Sequence, residues 1–188
     1  MVNEMEIGMR DKNEEYPLFS PCGLNCGLCP RYYTDGRSKC PGCAISGFSC
    51  GVLSCCRRKG LEYCFLCEEF PCKRYDGVDA YDSFITHKNQ LHDLQKAKEI
   101  GIDAYKTELE EKVALLEVLL KSYNDGRRKS LFCTAMNLLD VESVRCVMEQ
   151  LAKVVGAEDS PKVRAEAAVR LLNSAAEENG ISLQLRKK

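Results

Sequence analysis

Apolar positions along the chain change their rhythm near residue 76. Beyond that point they recur at three- and four-residue intervals, the spacing that lines one face of an α-helix. Phe84, Leu91, Leu94 and Ala97 suit a first helix that stops at Gly101. Asp103 then caps a second helix, with Leu109, Val113, Leu116 and Leu120 as its buried face and Glu108, Glu110, Glu111 and Lys112 turned to water. Asn124, Asp125 and Gly126 break it. Ser130 caps a short helix over Leu131 to Leu139. Asp140 caps another that carries Val144, Val147, Met148, Leu151 and Val155. Ser160-Pro161 opens a final helix, because proline at the first helical position loses no hydrogen bond. Val163, Ala167, Leu171 and Ala175 form its inner face and Gly180 ends it, while the alternating Ile181, Leu183 and Leu185 read as a frayed tail. The pattern predicts a bundle of four or five helices over residues 76–188.

Residues 17–75 show neither helical nor alternating periodicity over most of their length and are rich in Cys, Gly and Pro. The first 16 residues hold five acids, two bases and no apolar run. They predict a mobile acidic tail and do not fit a signal peptide. The fold class expected is therefore mainly α: a small irregular cysteine-rich zinc module followed by a helical bundle.

Composition narrows the chemistry. The formal charge is -1, with 27 basic and 28 acidic residues, so no global field draws the chain to nucleic acid or an anionic membrane. No stretch is long and apolar enough for a membrane span. A cytoplasmic location is the expectation. The 13 cysteines are the anomaly, since Cys22, Cys26, Cys29, Cys40, Cys43, Cys50, Cys55, Cys56, Cys64, Cys67 and Cys72 all fall between residues 22 and 72. Without an export signal a disulfide scaffold is the weaker explanation, and metal ligation the stronger.

Three C-x-x-C pairs carry that reading: Cys26-Gly-Leu-Cys29, Cys40-Pro-Gly-Cys43 and Cys64-Phe-Leu-Cys67. Two intervening residues let both sulfurs face one tetrahedral ion. The simplest assignment is two zinc ions, one on Cys26, Cys29, Cys40 and Cys43, the other on Cys50, Cys55, Cys64 and Cys67, with interleaved pairing as the alternative. Cys22 and Cys72 flank these eight as further candidate ligands. Cys56 is left out, because adjacent residues rarely reach one ion in good geometry; a spare surface or packed thiol is its expected role. A segment of this size with few large apolar side chains buries little surface, whereas a structural zinc supplies about 10 to 16 kcal/mol of apparent binding energy. Eight thiolates on two zinc ions would add a charge of 4 - 8 = -4, cancelling the segment's excess of eight bases over four acids. An iron-sulfur cluster is the rival cofactor, since Cys22-x3-Cys26-x2-Cys29 has the spacing of a cubane-binding motif and Cys29 precedes a proline.

The motifs Cys22-Gly-Leu-Asn-Cys26-Gly-Leu-Cys29-Pro30, Cys40-Pro-Gly-Cys43 and Gly60-Leu-Glu-Tyr-Cys64-Phe-Leu-Cys67-Glu-Glu-Phe-Pro-Cys72 resemble a cysteine-rich prokaryotic family classified as a domain of unknown function. The likeness covers about residues 20 to 110. It implies metal binding without a settled activity, and it implies that Cys56 is no ligand, since members often carry another residue there. Some members have a further C-x-x-C pair after the long helix; Lys112 to Tyr123 contains none.

Other motifs are weaker. Arg127, Arg128 and Ser130, in the turn from Tyr123, are candidate anion-binding residues, set against a plain solvated turn. Cys133 and Cys146 sit among apolar residues and read as core. His87 and His92 are five residues apart, do not share a helix face, and read as helix-surface residues. No acid-base or nucleophilic set assembles from two histidines. The function expected is a non-catalytic zinc-binding protein with a metal-shaped interaction surface, partnered by another protein. The alternatives are an iron-sulfur or thiolate redox or metal-transfer protein, and an RNA-binding module.

Overall fold

The computed structural model describes residues 16–46, 50–156 and 158–187. The expected acidic tail, apart from Tyr16, lies outside them. Among the described residues there are six α-helices and no β-strand: α1 (Gly51–Lys59), α2 (Gln90–Ile100), α3 (Ile102–Ser122), α4 (Lys129–Leu138), α5 (Val141–Val154) and α6 (Pro161–Glu178). The chain is mainly α, with a cysteine-rich N-terminal region followed by helices. No helix is long and apolar enough to cross a membrane among the described residues.

Capping fixes the later helix starts as the sequence indicates. The Asp140 carboxylate accepts the Ser143 N–H at 2.7 Å, and the Ser160 hydroxyl accepts the Val163 N–H at 3.4 Å. The face of α5 is Val144, Val147 and Leu151, all buried. In α6 the buried face is Ala165, Ala168, Leu172 and Ala176, the last three one position beyond their expected counterparts, and Val163 is exposed. Leu171 and Leu172 are adjacent, so choosing the wrong one as the core residue turns the whole face by about 100°.

Elsewhere the starts differ. Helix α2 begins at Gln90, because the Asp82 carboxylate accepts the Thr86 hydroxyl and the His87 N–H and holds residues 82–87 in a turn. Phe84 therefore lies outside the helix, exposed, beneath the Arg31 guanidinium at 4.7 Å. His87 is in that turn also, with Ser83 Oγ 3.0 Å from its Nε2. Asp103 and Ser130 fall inside the first turns of α3 and α4, behind Gly101 and Arg128. Helix α3 buries Tyr105, Leu109, Leu116 and Leu119, with Val113 and Leu120 half-buried. Lys112 is half-buried and lines a pocket between α2 and α3.

The tail is tied down rather than frayed. Asp82, whose side chain is fully buried, takes the Arg186 guanidinium at 3.0 Å and the Arg186 backbone N–H at 2.7 Å. Ile181 and Leu183 pack against the core.

One hydrophobic cluster runs from Phe19 to Ala176. Phe19 stacks on Tyr63 at 5.5 Å and lies 4.7 Å from Tyr105 of α3. Leu28, Leu53 and Tyr63 are almost wholly buried. The cysteine-rich segment thus has more apolar anchorage than its own composition indicates, because the helices supply the other wall of its core.

Candidate metal centre

Two of the three C-x-x-C pairs are built on tight turns. Cys26–Leu28 and Cys64–Leu66 each form one turn of 3-10 helix, and the Cys29 N–H donates to Cys26 O at 3.1 Å as the Cys67 N–H does to Cys64 O at 3.0 Å. The first turn is wedged against α3: a Cβ on Gly27 would come within 2.9 Å of Val113 and Leu18 side-chain carbons. The second pair needs Gly42, whose φ of +110° and closeness to Pro17 O, 2.7 Å from an added Cβ, exclude an L side chain.

Helix α1 was invisible as a periodicity because Cys55 and Cys56 count as ligands in the sequence rather than as helix positions. Val52, Leu53 and Cys56 nonetheless share a buried face, Arg57, Arg58 and Lys59 occupy the last turn, and Gly60 closes the helix in the left-handed conformation. Those three signals together would have found it.

All 13 cysteines are free thiols, without disulfides. Three pairs are in thiol-to-thiol contact: Cys22 with Cys50, Cys26 with Cys43, and Cys56 with Cys64. The shared hydrogen bond pushes Cys22, Cys26 and Cys56 up, aided by burial, and draws Cys50 and Cys64 down to about 6 against burial; Cys43 is lowered likewise by Cys26. The Cys43 backbone N–H also points at Cys26 Sγ, at 3.3 Å.

Two groups emerge. Cys22 and Cys26 influence one another electrostatically, as do Cys43 and Cys50, and Cys29 feels both Cys40 and Cys43. Cys55, Cys56, Cys64, Cys67 and Cys72 line a second pocket of about 180 Å³ with Arg58, Lys59 and Arg74. There Lys59 Nζ donates to Cys67 Sγ at 3.3 Å and to Glu69 at 3.1 Å, and Arg58 approaches Cys55 Sγ at 3.7 Å. The Tyr75 hydroxyl lies between the groups, donating to Cys22 O at 3.4 Å and hydrogen-bonding Cys64. Cys50 accordingly sits with the first group, and Cys56 is a packed thiol, buried beside Cys64 of the second. Among the described residues no three Cys, His, Asp or Glu side chains are arranged to hold a metal ion; the sulfurs are brought together as pairs.

Residues 18–77 match the family model described as "Protein of unknown function (DUF3795)". The matched stretch contains all eleven clustered cysteines and ends before α2, short of the residue 110 that the motif resemblance implied. No curated protein and no solved structure matches the chain.

The remaining candidates lie elsewhere. Cys133 is buried on α4, its thiol pushed up to about 12 by burial, whereas Cys146 is exposed on α5 and is not core. Ser130 lies in the first turn of α4, and Arg127 and Arg128 lie in the preceding turn, whose N–H groups are satisfied internally: Asn124 Oδ1 accepts from Gly126 and Arg128, and Asp125 accepts from Arg127 N and pairs with Arg128. Asp125 thus occupies the place an external anion would take.

Proposed function

We propose that residues 22–72 bind zinc in two thiolate clusters and that the chain is a non-catalytic protein whose metal-shaped surface docks another protein. The observation that carries this is the contact of Cys22 with Cys50, Cys26 with Cys43, and Cys56 with Cys64, sulfurs 8 to 28 residues apart in sequence and unlinked by disulfides. Packing alone gives no reason to gather thiols from the N-terminal turns, helix α1 and the Cys64 turn. Sulfurs on one tetrahedral zinc stand ~3.8 Å apart, from Zn–S bonds of ~2.3 Å, so such an ion needs thiols brought together from distant parts of the chain. The donor set, all sulfur, suits a thiophilic ion and excludes magnesium or calcium as residents.

Cys22, Cys26, Cys29, Cys40, Cys43 and Cys50 would supply the first cluster, and Cys55, Cys56, Cys64, Cys67 and Cys72 the second. When bound, zinc crosslinks loops that lack regular backbone hydrogen bonding. The cations around the second group offset its thiolate charge. Ile45, two residues past Cys43, and Leu66, inside the third pair, are both exposed and offer apolar contact at the turns that metal would fix.

Cobalt titration of the reduced, metal-free chain tests this. Two equivalents should bind with the charge-transfer absorption of tetrahedral thiolate ligation, and Cys26→Ser with Cys43→Ser should remove one. Absence of thiolate-cobalt absorption at any stoichiometry overturns the reading, and retention of both equivalents in the double variant overturns the first cluster.

A further inference from the structure

The pocket of the second cysteine group is ringed by cations: Arg58 and Lys59 from the last turn of α1, and Lys73 and Arg74 from the 3-10 turn Lys73–Tyr75. Glu69 is its one acid among the described residues. Lys98 of α2 adds a further cation, 5.8 Å from the centre of the Phe70 ring that lines the same pocket.

These cations divide by what they face. Lys59 Nζ donates to Cys67 Sγ and to Glu69, and Arg58 approaches Cys55 Sγ, so these two sit on the sulfurs. Zinc on four thiolates carries a charge of about -2, which Arg58 and Lys59 balance. Lys73 and Arg74 are exposed, and neither side chain has a hydrogen bond or ion pair among the described residues. Arg74 acts on Cys64 only at longer range. Lys98 is exposed too and touches only the Phe70 ring. Three cations thus stand together on one side of the pocket with no carboxylate of the described residues to pair with.

We infer that the protein partner of this surface presents a carboxylate-rich segment, its acids on Lys73, Arg74 and Lys98 and an apolar side chain against Leu61 and Leu66. The inference rests on the proposed metal reading, because zinc would fix the turns that carry these residues. Leu61 lines the pocket half-buried, and Leu66, in the turn between Cys64 and Cys67, is 53% exposed. A lone surface charge contributes little, but a patch of one sign beside an apolar contact steers and selects an oppositely charged partner. A nucleic-acid strand fits less well. Phe70, the one ring lining the pocket, is already engaged by Lys98 and by Tyr75 at 5.8 Å, and a formal charge of -1 gives the chain no wider field to hold a phosphate backbone.

Fluorescence anisotropy of the zinc-loaded full chain tests it, with a short labelled peptide of repeating glutamate and leucine as the probe. Saturable binding that weakens with added salt is expected, and none to the matching lysine-leucine peptide. Lys73→Gln with Arg74→Gln should weaken binding about fivefold at unchanged zinc content. Lys153→Gln with Arg170→Gln removes the same charge from exposed positions on α5 and α6 and should leave binding unchanged. Lys98→Gln, outside the cysteine segment, should also weaken it and serves if the first variant loses zinc. Zinc-loaded protein that binds no acidic peptide overturns this inference alone, as does equal weakening by the two double variants or tighter binding of a single-stranded uridine oligonucleotide. Protein that holds no zinc overturns the metal reading and this inference together.

Discussion

Asn137 of α4 reaches into the first cysteine turn and donates through Nδ2 to the Leu28 carbonyl at 3.1 Å, while bonding Cys133 O at 2.8 Å on its own helix. The loop between Cys26 and Cys29 is thereby fastened to the bundle by a side chain from 109 residues away. Asn137 is buried, so its loss strands the Leu28 carbonyl without water to replace the donor.

Asn137→Ala is expected to lower unfolding free energy by ~1 to 3 kcal/mol, the cost of an unsatisfied buried acceptor, and to weaken cobalt binding at the first cluster more than at the second. Urea denaturation and cobalt titration read the two effects.

Phe19 belongs to the cysteine-rich side of the same core, wedged between Tyr63 and Tyr105. Phe19→Ala should cost ~3 to 5 kcal/mol. Because the cluster is continuous, denaturation followed by far-ultraviolet circular dichroism and by tyrosine fluorescence should shift together; a shift in only one would show that the two regions melt apart.

The Asp82 clasp sets a pH dependence. Burial raises the Asp82 carboxyl, but hydrogen bonds from Arg186 and His87 outweigh it and hold the group well below the ordinary carboxylate range. The unfolded carboxyl titrates near ~3.9, so the clasp contributes fully above that pH, and its contribution is lost as pH falls from there through the lower folded value. Asp82→Asn should be less stable than the parent at pH 7 by ~1 to 3 kcal/mol, and the gap should narrow below about pH 4. Thermal melts of both proteins across that range check the difference, in which acid loss of any bound metal largely cancels.

Cys146 is exposed, whereas the other cysteines are buried or half-buried. Brief alkylation of native, metal-loaded protein should label Cys146 first, and Cys146→Ser should abolish that rapid phase without changing metal content. Mass spectrometry of the labelled peptides reads both.

Local signals in the sequence account for much of this architecture. Asp140 and Ser160 announce their helices because a cap is a contact over three residues. The C-x-x-C turns are equally local. What escaped depends on contacts distant in sequence. Nothing near Cys50 says that its sulfur meets Cys22, and Cys56 looks redundant beside Cys55 until α1 turns it inward to Cys64. Lys112 reads as a solvent-facing lysine because its helix neighbours are charged; only the packing of α2 against α3 half-buries it. The Asp82–Arg186 pair, 104 residues apart, turns an apparent loose end into a fastened one.

The central claim is that clustered sulfur donors bind zinc. Elemental analysis of protein purified anaerobically without added metal tests it most directly. Colourless protein with about two zinc ions per chain is the expected result. Folded protein free of zinc contradicts the account, whether it holds no metal or is brown with iron and acid-labile sulfide.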